Sequence, residues 1–406
     1  MSIETALELH AEQQGADRAV AQLVSRAARV PGFARRLGSA GLDPRQLTGL
    51  ADLALLPIVT KDEMIVLQRE DPPWAGMLDP DARVQRMFQS PGPLYEPQLL
   101  GADWRWGQAL ATMGIDRRDV VLNCFGHHLS PAGAMMEQGA HSMGAATVPG
   151  GIGNQELQVQ AIADLEITAF TGLPTYLKSL VDRYETAGHP ASRWRLGKAL
   201  VTAEPLPEDL RLELQRRIPM VRMAYGTGET GLLAYENGDG EGLALANGVL
   251  VQVCDLETGE PVTDDSEGQV VVTLLRPDYP LVRFGTGDLS GWMLGSDGTP
   301  RLRGVLGRVG AAVKVKGMFL HPVQVASVMT RIKGIADYQF VISRENHMDA
   351  LRCEILAENG VDTEGLIAEV EERVREGLRF NATVVTVSAA ELTPDHDVLV
   401  DTRDLT

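Results

Sequence analysis

DVVLNCFG (119–126), GAMMEQGAHSMG (133–144), AATVPGG (145–151), ELQVQAIADLE (156–166) and ITAFTGLPTYL (167–177) succeed one another in the middle of the chain. Short apolar runs of strand length alternate with longer amphipathic stretches. An apolar run without polar alternation suits a strand buried on both faces, and such strands separated by helices predict a parallel, helix-covered sheet. The same alternation continues through GKALVTAEPL (197–206), LPEDLRLELQRRI (206–218) and MVRMAYGTGETG (220–231). All of this reads as one α/β layer.

Outward from that layer the character changes. After about residue 245 come strands joined by turns, GVLVQVCDLETGEPV (248–262), GQVVVTLL (268–275) and LVRFGTGDLSGWMLGSDGTPRL (281–302), which predict an antiparallel or barrel-like subdomain. A glycine-rich passage, RGVLGRVGAAVKVKGMFLHPVQV (303–325), leads into strand (YQFVIS), strand (LRCEILA), long helix (DTEGLIAEVEERVREGL) and strand (TVVTVS). Toward the N-terminus, residues 4–37 show helical spacing broken at Val30-Pro31-Gly32. The segment LTGLADLALLPIVTKDEM (47–64) places Thr60 as a helix N-cap with Glu63 at the capping-box position. The expected fold is α/β: a large N-terminal domain of helix-covered sheets with a β-rich subdomain (1–306), and a small, mobile α+β C-terminal domain (307–406).

At 406 residues the chain exceeds the roughly 250–300 at which single cores stop growing, in keeping with two domains. No stretch approaches the ~20 unbroken apolar residues of a membrane span, and the acidic N-terminal residues do not resemble a leader, so a cytoplasmic protein is expected. Cys124, Cys254 and Cys353 lie far apart without a CxxC, which favours small core residues over a disulfide framework or zinc site. The net charge of −18 opposes a phosphate-backbone partner, so no nucleic acid is expected and a small-molecule ligand is.

In order, AEP (203–205), YGTGETG (225–231), RFGTGDLS (283–290) and GRVGAAVKVKGMFLHPVQ (307–324) resemble the adenylate-forming acyl-CoA synthetase superfamily, with phenylacetate-CoA ligases the nearest likeness. LPIVTKDEM (56–64) and the passage from NCFG to LPTYL extend it over nearly the whole chain. That resemblance implies a carboxylic acid and ATP as substrates, an acyl-adenylate intermediate, Mg²⁺, and coenzyme A or another nucleophile as acceptor. It implies that Ala203, Glu204 and Pro205 flank the adenine, that Tyr225 stacks on it with Gly226 and Thr227 beside it, and that Glu229 holds Mg²⁺. Asp288 would accept both ribose hydroxyls, and Arg308, after Gly307, would reach the ribose or phosphate at the hinge. Lys314, Lys316 and Gly317 would border a pantetheine tunnel. His127 either contacts the substrate carboxylate or is a polar loop end. For Tyr225, Asp288 and Arg308 the plain alternatives are a core or turn residue, a turn aspartate and a surface arginine. A homodimer is open.

Three departures fall on one step. The family's phosphate loop reads SSGTTGxP, whereas Ser90-Pro91-Gly92-Pro93-Leu94-Tyr95-Glu96-Pro97 keeps only Ser90, Gly92 and Pro97. Two prolines remove N–H donors there, and Glu96 would repel a phosphate. Gly228 stands where the family has a hydroxyl residue touching the α-phosphate. Where the family carries a catalytic lysine, the sequence runs LTPDHDVLVDTRDLT (392–406), with no lysine after Lys333 and with His396 and Arg403 as its nearby cations. Adenylation of a small aromatic or similar acid is the leading expectation. A relative without ATP-driven adenylation, acting in acyl transfer, or a non-catalytic ligand- or partner-binding protein, stays open beside it.

Overall fold

The computed structural model describes residues 1–90, 93–309, 313–316, 318–320, 322–345, 348–358, 360–388, 391–392 and 396–403. It divides into two compact units, Met1–Gly307 and Arg308–Thr406.

In the first unit, three helices, α1 (Ile3–Gln13), α2 (Ala16–Ala27) and α3 (Pro31–Ser39), precede α4 (Lys61–Glu70). Thr60 caps α4 as the spacing predicts: its hydroxyl accepts from the Glu63 amide at 3.2 Å, and the Glu63 carboxylate accepts from the Thr60 amide at 2.8 Å. A hairpin of β1 (Val84–Ser90) and β2 (Leu94–Leu99) and the helix α5 (Trp106–Thr112) follow.

The α/β layer comprises β3 (Val120–Asn123), α6 (Ala132–Ser142), β4 (Ala146–Pro149), α7 (Gln155–Asp164), β5 (Ala169–Gly172), α8 (Pro174–Thr186), β6 (Lys198–Val201), α9 (Glu208–Gln215) and β7 (Met220–Thr227). Strands β4, β3, β5, β6 and β7 lie side by side, all parallel. Alternation along each strand divides the core between the two faces. Val121, Ala169 and Leu200 join Leu110, Met135 and Met136, whereas Leu122, Phe170 and Val201 join Val159, Ile162, Leu177 and Leu214 of the opposite helices. The expectation of a parallel, helix-covered sheet holds.

The antiparallel strands predicted after residue 245 extend the same ladder. From β7 the order runs through β8 (Gly231–Tyr235), β9 (Leu243–Leu245), β13 (Pro300–Leu302), β12 (Phe284–Leu294), β11 (Glu267–Leu274) and β10 (Val249–Cys254). The sheet changes from parallel to antiparallel between β7 and β8, at the turn that carries Glu229.

The second unit holds a four-stranded sheet in the order Thr383–Thr386, Met348–Ala357, Ile335–Glu345, Leu399–Asp401, with helices Pro322–Met329 and Thr363–Leu378. Strand, strand, helix, strand follow as expected, and the edge strand Leu399–Asp401 is an addition. All three cysteines are buried and unpaired, as small core residues are.

Candidate active site

In an open parallel sheet, ligands bind beyond the carboxyl ends of the strands, where loops leave the layer. The loops after β3, β6 and β7 carry motif residues. After β3, Asn123 is fully buried and ties the loop: its amide nitrogen donates to Gly133 O at 2.7 Å and its oxygen accepts from Phe125 N at 3.2 Å. His127 follows, and its Nε2 is buried without a hydrogen-bond partner. A Cβ at Gly133 would come within 2.6 Å of the His127 ring, so glycine there lets the ring pack onto the start of α6.

After β6 the chain turns through Ala203, whose φ of +75° is a left-handed conformation that L residues enter at a cost of about 1–2 kcal/mol. Glu204 is then buried and accepts from the Thr175 hydroxyl at 2.6 Å, linking the first turn of α8 to the loop after β6, and Pro205 follows it.

Near the end of β7, Tyr225 meets Asp288 of β12. The Tyr225 phenol donates to Asp288 Oδ2 at 2.8 Å and lies 3.1 Å from Thr286 Oγ1, while the Asp288 amide donates to the same Thr286 hydroxyl at 3.1 Å. Thr286 and Asp288 are two apart on β12 and share a face. Gly226 allows a close approach, since a Cβ there would collide with Gly231 O and the Trp106 ring. Thr227 and Thr230, whose hydroxyls are out of register with the missing one at 228, pair with each other at 2.9 Å.

Glu229, in the turn between β7 and β8, meets Lys61 of α4, with Nζ 2.7 Å from Oε1. The placement of Lys61 is traceable. Val59 bridges Phe284 at the start of β12, exchanging hydrogen bonds with Arg283 O and Gly285 N at 2.9 Å each, and the capped helix begins immediately after. A cation in the first turn of a helix opposes the macrodipole, so the Glu229 carboxylate is what favours it there. The same helix holds β2: Gln68 donates to Tyr95 O at 2.9 Å and accepts from Tyr95 N at 2.8 Å.

That clasp fixes the neighbouring Glu96, which is 5% exposed with both carboxyl oxygens buried and unpartnered. Burial, and then the negative charge of Glu229, push the Glu96 carboxyl up to about 8, against the opposing pull of Lys61. Burial also works against the Glu229 carboxylate, but the Lys61 ammonium outweighs it and holds that group below the ordinary value. Tyr279 is buried nearby, and its phenol is raised by burial and by the two carboxyls. A Cβ at Gly228 would stand 3.1 Å from Glu96 Oε2 and 3.2 Å from Oε1. The missing side chain at 228 and the carboxyl at 96 therefore occupy one space.

Of the other expected site residues, Ser90 ends β1, buried, with its hydroxyl 3.4 Å from Leu94 O. Gly92 and Gly317, and the side chain of Lys314, lie outside the described residues. Arg308 is the first residue of the second unit. Arg403 is spent on structure there, paired with Asp349 at 2.9 Å and Asp401 at 2.6 Å. Lys61 and the burial of Glu96 were not foreseen. Lys61 lies inside the family-like LPIVTKDEM, which marked a cap but not a distant partner.

Among the described residues, no group of three or more His, Cys, Asp or Glu could hold a metal. A Mg²⁺ arriving on nucleotide phosphates needs only one or two protein carboxylates, and Glu229, held ionised by Lys61, is a carboxylate of that kind.

The chain matches the AMP-binding enzyme model over residues 109–273 and the AMP-binding enzyme C-terminal domain model over 317–397. It is 26% identical over 390 residues to phenylacetate-coenzyme A ligase of Thermus thermophilus, covering 88% of this chain and 86% of that one. It is also 26% identical over 343 residues to phenylacetate-coenzyme A ligase of Pseudomonas putida, covering 80% and 77%. In fold it resembles 2-hydroxyisobutyryl-CoA ligase, solved with 2-HIB-AMP and CoA, at a TM-score of 0.88 and 22% identity over 97% of this chain and 91% of that one. Sheet, motif loops and matching models together define a nucleotide-handling enzyme class. The chain belongs to the adenylate-forming superfamily of AMP-binding enzymes.

Proposed function

We propose that the protein is an acid–CoA ligase that activates a small aromatic or similar carboxylic acid as its acyl-adenylate and passes the acyl group to coenzyme A. The observation that carries this is the similarity to two phenylacetate-coenzyme A ligases across four-fifths or more of the chain, with both AMP-binding models in order.

A carboxylate is a poor electrophile because its charge is delocalised. Its oxygen attacks the α-phosphorus of ATP, pyrophosphate departs, and the mixed anhydride that forms has AMP as a good leaving group. The thiolate sulfur of coenzyme A then attacks the acyl carbon and AMP leaves.

In this scheme Asp288, held by the Tyr225 phenol, accepts from the ribose hydroxyls, and the Tyr225 region and residues 203–205 flank the adenine. Mg²⁺ bound with ATP would neutralise phosphate charge, and Glu229 would be its protein ligand. The unpartnered His127 Nε2 faces the acid's carboxylate, and Arg308 serves the ribose or phosphate. The scheme places the protein in the cytoplasm with small-molecule partners and, given the charge of −18, without nucleic acid; a homodimer is compatible with it. No helix among the described residues is long and apolar enough to cross a membrane.

A second reading, a relative that binds AMP without turning over ATP, is favoured by Pro93 and Leu94 standing where the family's phosphate loop has its threonines, with the carboxyl of Glu96 close by. ATP–pyrophosphate exchange across a panel of aryl acids, followed by thioester formation with coenzyme A, decides between them. Exchange with at least one acid supports the ligase; a flat response from folded protein that binds AMP supports the second reading.

A further inference from the structure

Two ring nitrogens, Trp106 Nε1 and His127 Nε2, are buried without a hydrogen-bond partner in the chain. The acid's carboxylate accounts for His127 in the scheme above, and nothing there accounts for Trp106. A buried indole N–H ordinarily finds an acceptor, because a donor left dry forfeits its hydration. Trp106 is also held in place. It is 3% exposed and begins α5. Just before it, Arg105 takes a left-handed φ of +71°, and its guanidinium donates to Leu232 O at 3.2 Å and to Thr230 O. The Trp104 amide donates to Gln138 Oε1 at 3.0 Å.

The indole reaches the candidate site. A Cβ at Gly226 would stand 2.9 Å from Trp106 Cζ2, the atom bonded to the carbon that bears Nε1, and a Cβ at Gly139 would stand 2.8 Å from Trp106 Cβ. The side chain therefore crosses from α6 to the end of β7, with the N–H edge of its ring at the residue that follows Tyr225. Two residues on, a Cβ at Gly228 would stand 3.4 Å from the Pro131 ring, and Gly133 receives the ring of His127, so the start of α6 meets the same strand end. Phe125, Met135 and Met136 join Trp106 in one apolar cluster, surroundings that suit an aromatic ring.

We propose that Trp106 is a specificity-determining residue: its indole N–H donates a hydrogen bond to an oxygen at the far end of the bound acid, so the substrate is a single-ring aryl acid bearing a hydroxyl, ether or carbonyl oxygen. This rests on the acid-ligase reading above and names its substrate class. An indole nitrogen donates and does not accept, which calls for an oxygen acceptor and excludes an ammonium group. Length follows from the strand. By the family resemblance the carboxylate reacts beside position 228, and Gly226 is two residues away, at most about 7 Å along extended backbone. That is the reach of one substituted ring. An unsubstituted acid leaves the buried donor unpaired, so the tryptophan discriminates against it as well as binding its oxygenated counterpart.

The test uses stable acyl-sulfamoyl adenosine analogues of the acyl-adenylate, made from phenylacetate and from its 2-, 3- and 4-hydroxy derivatives, so that binding is read without turnover. The full chain, as wild type and as W106F, is titrated calorimetrically with each analogue and with AMP, and thermal unfolding confirms that the variant is folded. Wild type should bind at least one hydroxylated analogue about 10-fold or more tighter than the parent, the effect of pairing one buried donor. W106F keeps an aromatic ring and loses the N–H. It should bind all four analogues within about 3-fold of one another, and AMP as wild type does. Should W106F not fold, ¹⁵N-indole spectra of wild type carry the test: one indole N–H signal should move downfield with the preferred analogue and stay in place with the parent.

A parent analogue bound as tightly as every hydroxylated one overturns the proposal, and so does a W106F protein that keeps the wild-type preference. In both cases the analogues still bind, and the ligase reading stands. An indole spectrum indifferent to the hydroxyl likewise removes Trp106 from substrate recognition. If AMP binds and no acyl analogue does, the acid reading fails and takes the proposal with it; if nothing binds, the nucleotide reading fails as well.

Discussion

Lys61 Nζ lies 2.7 Å from Glu229 Oε1, joining the first turn of a helix to the turn where the sheet changes from parallel to antiparallel, with side chains 14% and 6% exposed. Removing one partner of such a pair strands a buried charge, which costs about 3–5 kcal/mol. K61M should lose stability of that order in denaturant unfolding near neutral pH, and E229Q should recover much of it in the double variant. The sign with pH follows from Glu229, whose folded value is depressed by Lys61. That stabilisation is present above the ordinary carboxylate value of 4.5 and is lost as pH falls toward the folded value. The deficit of K61M should therefore shrink on acidification, and a deficit independent of pH would contradict the pairing.

Glu96 gives the opposite dependence. Its folded value is raised from 4.5 to about 8, so the folded state holds a proton that the unfolded chain releases across that window. Stability from this group is complete below about 4.5 and declines as pH rises through about 8. Unfolding of wild type and E96Q should diverge over that range in favour of E96Q, by at most about 1.4 kcal/mol for each pH unit, and run parallel above it. Parallel curves from pH 5 to 9 would mean that Glu96 titrates normally.

The α/β layer was legible because its signals are local. Leu122, Phe170 and Val201 announce buried strands within their own short runs, and Thr60 with Glu63 announces a helix start within four residues. The ladder uniting parallel and antiparallel strands was read as a layer plus a subdomain, because the pairing of β7 with β8 is a matter of turn geometry rather than apolar pattern. The candidate site was legible as motifs but not as contacts. Glu96 read as a misplaced charge and Gly228 as a lost hydroxyl. The clasp of Gln68 on Tyr95 and the pairing of β2 with β1 hold Glu96 where it meets residue 228, and neither is a local pattern in the sequence.

The Tyr225 phenol ties a parallel strand to Asp288 on an antiparallel one. Y225F deletes one hydrogen bond to a buried carboxylate and leaves the ring in place, a loss worth about 1.5–3 kcal/mol. Because the phenol orients Asp288, binding of adenosine should weaken while that of a 2′,3′-dideoxy analogue, lacking the hydroxyls Asp288 is proposed to accept, should change little. Equal weakening of both ligands in titrations would separate Tyr225 from ribose recognition and leave it a packing residue.

Gly228 has no positive φ, so a side chain there is opposed only by what it meets, Glu96 at 3.1 Å and Pro131 at 3.4 Å. G228T should therefore push the Glu96 carboxyl from its place and cost about 1–3 kcal/mol, as overpacking of a filled site does. In an E96A background the space is vacant, and the same substitution should be close to neutral. Unfolding of the four proteins in a double-mutant cycle should give a coupling of about 1–3 kcal/mol, well above the ~0.5 kcal/mol scatter of independent sites. The double variant also returns a hydroxyl to the position that the family resemblance assigns to the α-phosphate. It should bind AMP more tightly than E96A does, because a hydroxyl at that position can donate to a phosphate oxygen. Additive stabilities, or AMP affinities indifferent to the restored hydroxyl, would show that positions 96 and 228 are neighbours without a shared task.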